Sequence, residues 1–157
     1  MYISALTAAC QDVGLTGLVV GTNDLSQEMR CRIDGPRTAL LPALTMAVLA
    51  ARAHGLLIID GVYGDLKDAD GLRRECVQGM QLGFDGKSLI HPDQIAIANE
   101  AFSPTAEEII AARAIVAAFE YPAQAARGVI TVNGRMIERL HLEQARRVLA
   151  LAERMRT

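Results

Sequence analysis

Polar side chains sit where short apolar runs end, and these carry the chain's possible chemistry. Asp24 follows Leu18-Val19-Val20 across the turn Gly21-Thr22-Asn23, Asp60 closes Leu56-Leu57-Ile58-Ile59, and Lys87 and His91 flank Ser88-Leu89-Ile90. A carboxylate just past a buried strand is placed for metal ligation or proton transfer, because α/β barrels and open α/β sheets keep their chemistry at that edge. Gly21 lets the backbone turn sharply and lets a ligand approach closely. Plainer roles stand beside these. Asp24 can cap the helix that follows. Asp60 can bind substrate, orient the site or hydrogen-bond the 61–65 turn. Lys87 can meet a phosphate or pair internally with an aspartate, and His91 can anchor the loop before Pro92. Asp65, Asp68 and Asp70 read as turn formers and helix N-terminal charges. His54 and His141 read as helix residues without a chemical role.

The elements that must position these groups are legible from pattern. A helix is expected over 2–12, a strand over 17–20, and a short helix or ordered loop over 26–31, broken by Asp34-Gly35-Pro36. A long apolar helix follows over 39–54, with Gly55 at its C-terminal cap. A second strand over 56–59 leads into a helix over 68–82, and a third strand over 87–90 ends at His91-Pro92. Strands joined by crossover helices must be parallel, and their nearly all-apolar character fits cover on both faces. Their polar ends then share one edge, so residues far apart in sequence converge there. The character changes near Phe102-Ser103-Pro104. Thr105-Ala106-Glu107-Glu108 reads as a helix start, Tyr121-Pro122 as its end, and Asn133-Gly134 as the type I′ turn of a small hairpin. A last helix is expected over 140–155. The division is therefore 1–101, α/β, and 102–157, helical with a hairpin.

Composition narrows the function. The 157 residues can bury a real core, and a hydrophobic fraction of 51% excludes a disordered chain. A net charge of -2 and the absence of Trp argue against nucleic acid. No apolar run reaches the length of a membrane span, and the start lacks a basic signal-peptide region. Cys10, Cys31 and Cys76 are odd in number and far apart, which predicts reduced thiols in a cytoplasmic protein.

Three blocks carry a family resemblance. They are Gly21-Thr22-Asn23-Asp24-Leu25, Ile59-Asp60-Gly61-Val62-Tyr63, and Gly83-Phe84-Asp85-Gly86-Lys87-Ser88-Leu89-Ile90-His91-Pro92-Asp93-Gln94. Thr131 to Glu138 and the helix behind them extend it. With these the chain resembles the citrate lyase beta-subunit-like CoA-ester lyases of the HpcH/HpaI aldolase superfamily, which include malyl-CoA lyases. The resemblance implies the last three strands of a (β/α)8 barrel with a C-terminal helical extension, and hence a fragment inactive by itself. It implies Mg²⁺ at Asp24, whose partner glutamate would lie upstream of Met1. It implies a CoA-thioester substrate near Gly21, Asp60 and Lys87, cleaved by a reversible aldol reaction through an enolate. Glu138 would be the catalytic acid/base, on a lid reaching the neighbouring subunit of a homo-oligomer. The family commonly has Asp where this chain has Asn133, which removes a negative charge. A pyruvate aldolase that uses no CoA and a non-catalytic scaffold are the rival expectations.

Overall fold

The computed structural model describes residues 14–121 and 127–155, so the helix expected over 2–12 lies almost wholly outside the described residues. The chain divides into two compact units, one through Phe102 and the other from Ser103.

The first unit is built on a parallel sheet of three strands in sequential order. These are β1 (Gly17–Val19), β2 (Leu57–Asp60) and β3 (Gly86–Lys87). Leu18 pairs with Ile58, and Asp60 pairs with Lys87. The expected third strand over 87–90 is shorter than its apolar pattern suggests. Ser88 still donates to the Asp60 carbonyl at 2.9 Å, but the Ile90 amide then turns to the Gln94 side chain. Asp85 extends the pairing of β3 by other means. Its amide donates to the Ile58 carbonyl and its carboxylate accepts from the Ile58 amide at 2.7 Å. Arg52 clamps the same carboxylate with two hydrogen bonds.

Four helices belong to this unit: α1 (Thr22–Glu28), α2 (Leu41–Ala53), α3 (Ala69–Leu82) and α4 (Gln94–Phe102). Helix α1 begins earlier than the 26–31 expectation, so the Gly-Thr-Asn-Asp stretch is itself a helix start. Pro42 is tolerated in the first turn of α2, where no amide partner is lost. Gly55 and Gly83 lie just past α2 and α3 with left-handed φ of 67° and 98°, which glycine adopts without a Cβ penalty. Asp68 caps α3 by accepting from the Gly71 amide. Helix α4 was assigned no element from sequence, because Ile95-Ala96-Ile97-Ala98 has no polar face of its own to announce a helix.

The two faces of the sheet differ. Ile58 is buried with Leu40, Leu44, Val48 and Phe84, and Leu18 packs against that cluster. On the other face Val19 is 67% and Leu57 is 55% exposed. The expectation of cover on both faces is therefore met on the helix side only, among the described residues.

The second unit has α5 (Ala106–Glu120), a hairpin of β4 (Val129–Val132) and β5 (Arg135–Glu138), and α6 (Arg139–Arg154). Thr105 and Glu108 form a reciprocal capping box at the start of α5. Asn133 and Gly134 take φ of 50° and 75°, as a type I′ turn requires. Phe119, Ile130, Ile137 and Leu142 form its core.

Candidate functional site

Strand parity decides where each polar side chain goes. Side chains alternate across a sheet, so Asp60 shares the face of Ile58 and points toward the helices. There it is 0% exposed. Arg37 Nη1 donates to both Asp60 carboxylate oxygens at 2.8 Å, and the Gly61 amide donates to Oδ1 at 2.8 Å. Lys87, from β3, lies 3.4 Å from Asp60 Oδ2 and donates to Glu75 Oε1 at 2.6 Å and to the Gly61 carbonyl at 2.7 Å. Arg37 also lies 3.4 Å from Glu75. Two cations and two carboxylates thus neutralise one another beneath α3. A buried pair of this kind contributes little net stability, but losing one partner strands a charge.

Of the two roles open to Lys87, internal pairing is the one its geometry displays. Its side chain is 0% exposed and its three ammonium protons have three acceptors. Asp60 likewise bonds the 61–65 turn. Both residues hold the rim that follows β2. Cys76 is fully buried nearby, and burial pushes its thiol pKa up, which makes it a poor nucleophile.

Asp24 lies on the same strand edge in a different setting. It sits in the first turn of α1, after the N-cap Gly21, and its side chain is exposed. Its carboxylate curls back over Gly21, where a Cβ would come within 3.0 Å of Oδ2. The two rims touch at Gly61, where a Cβ would lie 2.7 Å from Thr22 Cγ2 and 2.8 Å from the Val20 carbonyl. Among the described residues no cluster of three or more His, Cys, Asp or Glu could hold a metal ion. Asp24 alone still fits Mg²⁺, which takes one or two carboxylates and keeps its waters.

Beyond β2, Tyr63 donates to Asp68 at 2.7 Å, and that bond pushes the phenol pKa up to about 12. The Gly71 amide, followed by the Tyr63 hydroxyl, holds the Asp68 carboxyl below its ordinary value. His91 Nδ1 accepts from the Asp93 amide, so it anchors its loop. In the second unit Glu138 ends β5 half-buried, and its amide donates to His141 Nδ1 at 2.9 Å. His141, expected to be inert, thus ties the start of α6.

The HpcH/HpaI aldolase/citrate lyase family model matches residues 4–92. The chain belongs to this family. It is similar to a (3S)-malyl-CoA thioesterase of Cereibacter sphaeroides, 53% identical over 88% of this chain and 49% of that protein. It is also similar to the mitochondrial citramalyl-CoA lyase of Mus musculus, 38% identical over 88% of this chain and 41% of that protein. The crystal structure of CitE from Mycobacterium tuberculosis, in complex with magnesium, acetoacetate and coenzyme A, superposes with a TM-score of 0.72. It is 28% identical, over 88% of this chain and 52% of that one. The chain spans about half the length of the curated relatives it matches.

Membership in this family fits a mixed α/β fold with parallel strands, but it did not disclose Arg37 or Glu75. Sequence reading passed over both. Arg37 follows an Asp-Gly-Pro loop and looks solvated. Glu75 has ordinary helical neighbours. One signal was available: Asp60 and Lys87, placed in register on adjacent strands, need further partners if both are buried.

Proposed function

We propose that the whole protein to which this sequence belongs is a Mg²⁺-dependent carbon–carbon lyase acting on the CoA thioester of a hydroxy acid such as malyl-CoA or citramalyl-CoA. The three strands would be part of a (β/α)8 barrel, with the second unit as its extension. The observation that carries the reading is Asp24, an exposed carboxylate at the C-terminal edge of a parallel sheet, in a chain of this family. Asp24 would hold the ion, and Gly21 leaves room for its carboxylate. Magnesium would supply polarisation of a carbonyl oxygen.

The chain's own residues do the rest. Glu138 moves a proton: cleavage breaks the bond between the hydroxyl-bearing carbon and the methylene next to the thioester, the hydroxyl gives up its proton, and the methylene gains one. The hairpin that carries Glu138 would deliver it to a neighbouring subunit in a homo-oligomer. Asp60 and Lys87 serve substrate binding by fixing the Gly61 rim.

A second reading is thioester hydrolysis, favoured by the 53% identity to a malyl-CoA thioesterase. Products separate the two. Cleavage of malyl-CoA yields glyoxylate and acetyl-CoA, whereas hydrolysis consumes water and yields malate and free CoA thiol. With the whole protein, malyl-CoA and Mg²⁺, a phenylhydrazine assay should detect glyoxylate, and a thiol reagent should detect little free CoA. Free thiol without glyoxylate overturns the lyase reading in favour of hydrolysis. Asp24→Asn should abolish either activity.

A further inference from the structure

Arg37 is the most constrained side chain of the first unit. It is 1% exposed, and it holds a left-handed backbone φ of 54° that non-glycine residues adopt at a cost. Its Nε donates to Gln78 Oε1 at 2.8 Å and its Nη1 serves Asp60 and Glu75. Its Nη2, buried, has no hydrogen-bond partner. A guanidinium presents five N–H donors in a fixed fork, and an orphaned buried donor costs about 1–3 kcal/mol until it meets an acceptor.

Arg37 lines a cavity of about 250 Å³ at the strand-end edge, together with Thr22, Asn23, Asp34, Tyr63 and Glu75. A water occupies about 30 Å³, so this space exceeds what one bridging water needs. Its charge selects the occupant. Arg37 and Lys87 are already balanced by Asp60 and Glu75. Asp34 adds a negative charge to the wall, its carboxylate accepting from the Thr38 amide and hydroxyl. An anion would meet net repulsion, whereas an uncharged carbonyl oxygen satisfies Nη2 at no electrostatic cost. Asn23, on the same wall, offers a carboxamide that can accept from an N–H.

We infer that this cavity binds a secondary amide of the substrate's thiol-bearing arm, with the carbonyl oxygen on Arg37 Nη2 and the N–H on Asn23 Oδ1. The inference rests on the reading of the substrate as a CoA ester and extends it to a site on the helix side of the sheet, apart from Asp24.

The test titrates the 157-residue chain, labelled with ¹⁵N and ¹³C in arginine, with pantetheine and separately with L-malate. Arg37→Lys assigns the Arg37 guanidinium signals. Pantetheine should shift the Nη2 resonances saturably, and malate should not. Arg37→Lys should weaken pantetheine binding at least tenfold. Asn23→Leu, at an exposed position, should weaken it several-fold while leaving thermal unfolding unchanged. No pantetheine-dependent shift, meaning Nη2 is met by water alone, overturns the inference, as does an equal or larger shift with malate. Because the readout is binding, a protein inactive on malyl-CoA that still shows the pantetheine shift refutes the lyase reading and leaves this one standing. An active protein without the shift does the reverse.

Discussion

Asp24 and Asp60 each follow an apolar strand beside a glycine, and their surroundings are opposite. Beyond β1, Asp24 is exposed and accepts no hydrogen bond from a described residue. Beyond β2, Asp60 is 0% exposed and is met by Arg37, Lys87 and the Gly61 amide. The difference arises from position. Asp60 is still within the strand, so the pleat turns it toward the helices, where a charge must be paired. Asp24 lies a helical turn past its strand, where nothing has used up its oxygens. One rim is built to be held, and the other is available to bind.

The sharpest way to break that contrast is Asp60→Ala. It strands Arg37 and Lys87 with only Glu75 between them, and should cost about 3–5 kcal/mol, read as a lower urea midpoint. A loss under 1 kcal/mol would mean that the network is not the anchor of the β2 rim. Gly61→Ala comes next. Its Cβ would press on Thr22 and on a backbone carbonyl that cannot rotate away, and overpacking of this kind costs about 1–3 kcal/mol. Because Thr22 begins the helix that carries Asp24, the same change should shift the Asp24 amide resonance; an unmoved resonance would show that the two rims are independent.

Acid should loosen the β2 side first. The Asp68 pKa is depressed from 3.8 in the folded protein, so its contribution is present above that value and lost as pH falls through the lowered one. Asp68→Asn should flatten the pH dependence of stability in that window, measured by thermal melts between pH 5 and 2. The smallest stability effect belongs to Asp24→Asn, within about 0.5 kcal/mol for an exposed site. A larger loss would show that Asp24 is chiefly a helix-capping residue.

Much of the architecture was readable because it is local. Gly55 and Gly83 stop helices by backbone conformation, Thr105 and Glu108 start one, and Asn133-Gly134 closes a hairpin. What escaped was long-range. In Leu56-Leu57-Ile58-Ile59-Asp60 both faces are apolar, so the sequence carries no alternation from which to tell which face Asp60 shares. Arg37 lies 23 residues from Asp60 and 41 from Gln78, a convergence that only folding creates. Helix α4 was missed because it hides β-branched residues in a short span after Pro92.

The attachment of β3 has a consequence for how the sheet comes apart. Its ladder pairs only two residues with β2, and the remaining ties include the Asp85 carboxylate on a strand amide, Arg52 on Asp85 and Lys87 on Glu75. β1 and β2 share a longer run of backbone pairs. β3 is therefore an ionic seam, with the partly exposed Arg52–Asp85 pair open to counterions. Amides beside β3 should exchange with solvent through a local opening that deepens with added salt, while those between β1 and β2 exchange at a rate that salt leaves alone.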